Sequence, residues 1–402
     1  MTGTSVWIGF LMLGVTIVSH IFLVSLVLGL AFMAPLLEYF SHRWKDGEFE
    51  DLAKNALKYL AVSELAAGVW ATWFTVALAG FWPQLAFIAT TVLFYPLVIG
   101  ITGVLIGITF MSIYWYTWGV VSRSLHLLLG VVMAVGAVLV PVGFNMIFAF
   151  MDDPVGLKRG LAGNGWAVFG NPLYPDFTVH RISAAISMAA MVFASVYAIK
   201  AYRKREKRYE RASEFGLYVG LPALLVASIT GAIYAFLLAK YSPYIASAVL
   251  GPLSFSSLAT FFDLYPEFVG FMAVVIGIWA FAIFNALHRR FDKAKEVSSV
   301  ALLILSLIGV PYGEVLNDLP RYPYMVVQGT GGVEAAQLIN HWMFIPTSFA
   351  YAALIVGAVL MAIFSYMLYL VFGAKQPGGQ RANHPERSIS QNLSASPAPA
   401  SR

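Results

Sequence analysis

Cysteine is absent from all 402 residues. The chain therefore offers no thiolate for a zinc or iron–sulfur centre, no disulfide and no attachment point for a c-type haem. Charge is scarce as well. Asp, Glu, Lys and Arg make up 11% of the sequence against 59% hydrophobic residues, whereas a soluble domain carries roughly 25% charged residues. This excludes one or two soluble domains and leaves a polytopic membrane protein. The formal net charge is +5, but it does not point to nucleic acid. The basic residues sit in short loops between apolar runs, where they set membrane topology. The sequence shows no internal repeat, and no inverted repeat or broken-helix pair of the kind transporters carry.

Nine apolar segments can be marked, at 6–38, 57–80, 84–118, 123–151, 178–200, 214–240, 262–287, 297–312 and 339–373. Most exceed the roughly 20 residues a helix needs to cross hydrocarbon. The eighth is short, and is either extended by Tyr312 and Gly313 or partly re-entrant. The first is too long for a signal-peptide core and lacks a basic n-region, so it reads as a retained helix. Basic clusters at Lys200–Arg211 and Arg289–Lys295 place those loops in the cytoplasm and the N-terminus outside. Arg43, Lys45 and Arg123 then fall inside too. The outer loops, 152–177, 241–261 and 313–338, are poor in Lys and Arg, and 241–261 has no charged residue at all. The expected architecture is an all-α, polytopic membrane bundle of about nine transmembrane helices over 1–373. Residues 374–402, rich in Pro, Ser, Ala and Gln, are expected to form a disordered cytoplasmic tail.

Ionisable or metal-ligating side chains inside apolar segments mark function, and imidazole and thioether are axial ligands for haem iron. His20 lies in the outer half of the first segment, and His180 at the outer start of the fifth, where Asp176 is expected to cap the helix. Met272 lies two turns inside the seventh, at a depth matching His180; Glu267 sits nearer the interface. Arg181, next to His180, is placed to pair with a carboxylate such as a haem propionate. Glu314, in IGVPYGEVLNDLPRYPYM, and His341, at the outer start of the ninth segment beside Trp342, complete the outer-side candidates. Each has a plainer alternative: an interhelical hydrogen bond for His20, an interfacial pair for His180 and Arg181, packing for Met272, and an ion pair with Arg321 for Glu314. Glu64, beside Ser63 near the inner end of the second segment, is a candidate for proton or quinone chemistry. His42, His126 and His288 read as residues of the cytoplasmic interface.

The pattern resembles subunit I of the bd-type quinol oxidases over nearly all of 10–373. HIFLVSLVLGLAF resembles the family's opening histidine helix, which implies His20 as its high-spin haem ligand. NMIFAFMDDPVG resembles the exit of the fourth helix. VHRISAAIS resembles the start of the fifth, implying His180 as a low-spin haem b ligand, and FVGFM implies Met272 as the other. GVPYGEVLNDLPRYPY resembles the family's Glu-containing signature, implying Glu314 as a haem-ligating glutamate. Three features depart from the family. YPLVIGITGVLIGITF has no acid, with Gly100 near one expected position. The family's Gly-Arg-Gln-Pro-Trp core is replaced by Val315–Arg321. The loop that helps bind quinol is reduced to the uncharged stretch 241–261.

The residues and the resemblance together lead to a multi-pass protein of the cell inner (plasma) membrane. It would carry one to three b-type haems and pass electrons between quinone and a partner redox protein. The partners implied are a second membrane subunit and an outer-face redox protein. His20, His180, Met272 and Glu314 are the expected iron ligands, Arg181 and His341 further cofactor contacts, and Glu64 the catalytic acid. The departures set the expectation that oxygen is not reduced by the relatives' mechanism. The alternatives are subunit I of a working quinol:oxygen oxidase and a haem-free membrane anchor.

Overall fold

The computed structural model describes residues 3–157, 165–256 and 258–338, together with Tyr351, Ile355, Val356, Val359, Ala362, Ile363 and Tyr366, which are helical. His341, Trp342, most of the ninth segment and the tail lie outside the described residues. The elements below belong to one compact unit, Met1–Val356.

In hydrocarbon every backbone N–H and C=O must find its partner inside the chain, so apolar runs become helices. Among the described residues, eight helices are long and apolar enough to cross a membrane. They are α1 (Gly3–Trp44), α2 (Gly47–Phe81), α4 (Phe94–Tyr116), α5 (Arg123–Asp152), α6 (Tyr174–Lys204), α7 (Lys207–Tyr241), α9 (Tyr265–Leu287) and α10 (Lys293–Asp318). Two short helices, α3 (Pro83–Thr91) and α8 (Pro243–Leu250), lie between them. The turns at the basic end of the bundle are capped by side chains. Asp46 accepts from Glu48 N at 2.9 Å, Ser122 from Leu125 N at 3.4 Å and Asp292 from Lys295 N at 3.1 Å.

Several boundaries differ from the sequence reading. The third segment, 84–118, is two helices, broken at Val92–Leu93. A continuous helix would drive the ring of Pro96 into the carbonyl of Val92. The eighth segment is one uninterrupted helix from Lys293 to Asp318 with Pro311 inside it, and does not re-enter. Asp176 does not cap α6. The helix starts one turn earlier than expected, at Tyr174, so Asp176 lies within its first turn and His180 in its second. The loop 241–261 contains α8, every residue of which from Tyr244 to Leu250 is buried. The last outer loop adds a small antiparallel hairpin, β1 (Tyr324–Gln328) with β2 (Gly331–Glu334), which pairs Val326 with Val333 and buries Met325, Val326 and Val327.

α6 is the central helix, packed by α1, α5, α7 and α10. Small residues let its neighbours close in. A Cβ on Gly29 of α1 would lie 2.3 Å from Ala189 Cβ, and one on Gly216 of α7 would lie 2.8 Å from Ala190 O. The tightest seam joins α4 to α5 with no side chain between the backbones. A Cβ on Gly143 would meet Gly100 N at 2.3 Å, and one on Gly103 would meet Val140 N at 2.7 Å. Backbone on both sides leaves nothing that can rotate away. Gly143→Ala is therefore expected to lower the unfolding free energy by about 2–3 kcal/mol. Gly68→Ala, where an added Cβ meets nothing within 4 Å, should leave thermal unfolding in detergent unchanged.

Candidate cofactor site

The outer halves of α1, α5, α6 and α10 converge on a polar centre inside the bundle. His20 on α1 stacks parallel to Phe74 of α2 at 6.4 Å, beside the Ala67 backbone. Its Nδ1 is buried and has no hydrogen-bond partner. His180 on α6 is oriented by its neighbour helix. Nδ1 lies 2.8 Å from the Ala227 carbonyl oxygen, which can only accept, so Nδ1 carries the proton and Nε2 keeps its lone pair. Room for the ring comes from Gly231, where a Cβ would lie 2.9 Å from His180 Cε1. A ring held through one nitrogen with the other left basic is how metal-ligating histidines are set.

Arg181 points into the same centre. It donates to Glu314 Oε2 of α10, and its guanidinium lies 4.7 Å from the Phe148 ring and 4.9 Å from the Phe177 ring. Glu314 thus pairs with Arg181, not with Arg321. Arg321 forms a second hub at 1% exposure. It reaches Asp152 Oδ1 at 2.7 Å, Asp318 Oδ1 at 2.8 Å and Asn317 Oδ1 at 3.2 Å. Tyr234 of α7 donates to the other oxygen of Asp152 at 2.8 Å. Asp153, just beyond α5, is held above the usual carboxylate range by burial and by Asp152 beside it.

Buried polar atoms in proteins nearly always find partners, yet here a set of them does not. Arg181 Nη1, Glu314 Oε1, Asp318 Oδ2, Asn145 Nδ2 and Asn317 Nδ2 are all buried and unpartnered, like His20 Nδ1. The donors and the lone-pair nitrogens fit a haem: imidazole for iron, guanidinium and amide for carboxylates. Among the described residues no three His, Asp or Glu gather to hold an ion. Haem asks only for single protein ligands, since its ring supplies the other four.

Two further candidates are on α9 and α2. Met272 is on α9, and its side chain is 38% exposed. Glu64 is partly exposed on α2, one turn before Ala67, on the side of the helix that faces His20. Sequence reasoning missed Asp152, Tyr234 and the full role of Arg321, although an acid ending an apolar run was a readable signal for the first. It also misread His126, which is 4% exposed rather than interfacial and is bound to Glu38 of α1. The signal for Glu38 was a carboxylate inside the first apolar segment.

Comparison with known proteins bears on the family and the fold. The family model described as cytochrome bd terminal oxidase subunit I matches residues 10–254. A protein of Bacillus subtilis (strain 168), named "Putative cytochrome bd menaquinol oxidase subunit I", is 31% identical over 231 residues, covering 56% of this chain and 51% of that relative. The chain thus matches about half the length of this relative. The structure of bd oxidase from Geobacillus thermodenitrificans has the same fold, with a TM-score of 0.76 at 18% identity, over 91% of this chain and 98% of that one.

The Arg321 hub predicts its own fragility. Removing one partner of a buried ion pair strands the other charge, at a cost of about 3–5 kcal/mol. Arg321→Ala should therefore destabilise the purified protein by that amount in thermal or denaturant unfolding. Asp152→Asn, which keeps the shape and one acceptor, should cost clearly less.

Proposed function

The chain belongs to the cytochrome bd terminal oxidase subunit I family, and on that footing we propose that it is the haem-bearing subunit of a bd-type quinol:oxygen oxidoreductase in the plasma membrane. Membership makes it a multi-pass protein of an electron-transfer family that works with haem, quinol and a second subunit. The observation that carries the finer reading is the buried, unpartnered Nδ1 of His20 close to the Arg181–Glu314 pair. Such atoms cost stability if they stay unmet, which argues against a haem-free anchor.

When bound, haem supplies one-electron exchange and, where a coordination position stays open, oxygen binding. The chain supplies the rest. His20 would hold one haem iron, with Glu314 as a second candidate. His180 would hold another through Nε2, its ring fixed by the Ala227 carbonyl. Met272 sulfur would be a further ligand for that haem. Arg181 and Asn145 hold propionate oxygens, and the aromatic faces of Phe148 and Phe177 keep water from the guanidinium. His341 remains a candidate for the same outer region. Glu64, one turn from the residue beside His20, delivers protons or meets quinone. Quinone is the proposed electron donor, and an outer-face redox protein the alternative electron partner.

A second reading is a cytochrome that moves electrons without oxygen chemistry. It is favoured by α3 and α4, which carry no Asp or Glu from Pro83 to Tyr116. Carbon monoxide separates the two, because only an open ferrous site binds it. The oxidase reading expects a carbon monoxide difference spectrum and sustained oxygen consumption with reduced quinol, on the order of 10 per second. Both should vanish in His20→Ala, and in the same assay Glu64→Gln should slow turnover at full haem content. No gas-induced spectrum in a fully haem-loaded complex would leave the second reading standing.

The low-spin pair has a separate test. Met272→Leu conserves volume and removes sulfur. The low-spin b spectrum or its midpoint potential is expected to change, and an unchanged spectrum and potential would exclude Met272 as a ligand.

A further inference from the structure

The inner end of the bundle holds a buried polar cluster that the outer-side chemistry does not use. Glu38 of α1 is 2% exposed. Tyr114 of α4 donates its hydroxyl to Glu38 Oε2 at 2.5 Å. His126 of α5 has an acceptor at each ring nitrogen: Glu38 Oε1 lies 2.7 Å from Nδ1, and the Tyr114 carbonyl oxygen lies 2.9 Å from Nε2. A carbonyl only accepts, so Nε2 carries a proton. The contact between Nδ1 and Oε1 then needs one proton more, on the imidazole or on the carboxyl. Either way the pair holds one shared proton. Without it, two lone pairs would face each other in a site closed by the rings of Tyr114 and Trp118, whose centroids lie 4.4 and 4.5 Å from that of His126.

The site has a route to water. His42, one turn further along α1, has Nε2 3.6 Å from Glu38 Oε1, and its side chain is 23% exposed against 2% for Glu38. The other charged groups facing the cluster are on α2. Lys54 is paired with Glu50 at 2.9 Å and lies 5.3 Å over Trp118, which itself donates to Glu50 at 2.9 Å. These two charges balance each other outside the cluster, so the proton between Glu38 and His126 is not replaced by a neighbouring cation.

We propose that Glu38 and His126 are a proton port at the basic-loop, cytoplasmic end of the bundle, with His42 as the carrier that meets water. In the uptake step imidazolium His42 loses its Nε2–H as a Glu38 Oε1–H bond forms, with the shared proton held on His126 Nδ1, and neutral His42 remains. His42 is then reprotonated from water, and the pair holds two protons until one passes inward. The port rests on the proposed quinol:oxygen reaction, in which oxidising quinol releases protons and reducing oxygen to water consumes them.

Two measurements on the purified, full-length complex test it. In 15N-histidine-labelled protein at neutral pH, with His126 assigned by its loss in His126→Gln, Nε2 should carry a proton and Nδ1 should show the shift of a hydrogen-bonded nitrogen. An unprotonated Nε2, or an Nδ1 free of any hydrogen bond, would overturn the shared proton. In proteoliposomes reduced with quinol, a pH-indicating dye on the cytoplasmic face reads proton uptake. His42→Gln and Glu38→Gln should each slow it roughly tenfold or more with haem content unchanged. Wild-type uptake in haem-loaded His42→Gln would overturn the port, and that part-exposed substitution carries the test if Glu38→Gln fails to fold. A complex without haem or quinol-driven reduction would overturn the function and the port together, while the nitrogen-shift result would still stand by itself.

Discussion

Two buried guanidinium groups govern the outer half of this bundle. Arg181 joins α6 to α10 through Glu314, and Arg321 joins the end of α10 to α5 through Asp152, with Tyr234 drawing in α7. Taking such charges out of water is expensive, and their attraction compensates only where the geometry is good and further hydrogen bonds meet the remaining atoms. Arg321 meets that condition with three partners. Arg181 does not: one of its nitrogens and one oxygen of Glu314 stay unmet. Arg321 works as a fastener, although one oxygen of Asp318 and the amide nitrogen of Asn317 beside it also stay unmet.

The α4–α5 seam and the alanine face of α6 serve the same end by different means. Lipid tails are as apolar as leucine, so helices in a membrane gain little from hiding apolar surface and rely on close packing instead. Glycine at 100, 103, 136 and 143 brings α4 against α5 at backbone distance. α6 then sits among neighbours that cannot drift. A side chain such as His180, held through a carbonyl on α7, keeps its orientation only if α6 and α7 keep theirs, and Gly216 and Gly220 on α7 allow that approach.

Much of this was legible in the sequence, and the reasons for what was not are physical. Hydropathy and the basic loops read the spans well, because backbone desolvation leaves helices as the one choice for such runs. His20, His180, Arg181 and Glu314 were legible as intramembrane polar residues, and Arg181 and Glu314 do meet. Their pairing was not: whether Glu314 meets Arg181 or Arg321 depends on which helices adjoin, and spacing within one strand of sequence is silent on that. The break at Val92–Leu93 was readable from Pro96 but was hidden by uniform hydropathy. His126 was misassigned because a histidine beside a basic residue looks interfacial, while its true environment is set by Glu38, 88 residues away.

The separation between the two members of each outer pair has a consequence for how the protein is made. Arg181 precedes Glu314 by 133 residues, and Asp152 precedes Arg321 by 169. Chains emerge from the N-terminus onward, so α5 and α6 enter the bilayer carrying an acid and a guanidinium whose counter-charges are not yet synthesised. Until α10 arrives, those groups must be met by water or headgroups near the outer surface. The outer end of the bundle therefore closes last, and it closes by charge neutralisation. An interval of this kind, with the polar centre still open, is when a carboxylate-bearing cofactor can enter most easily.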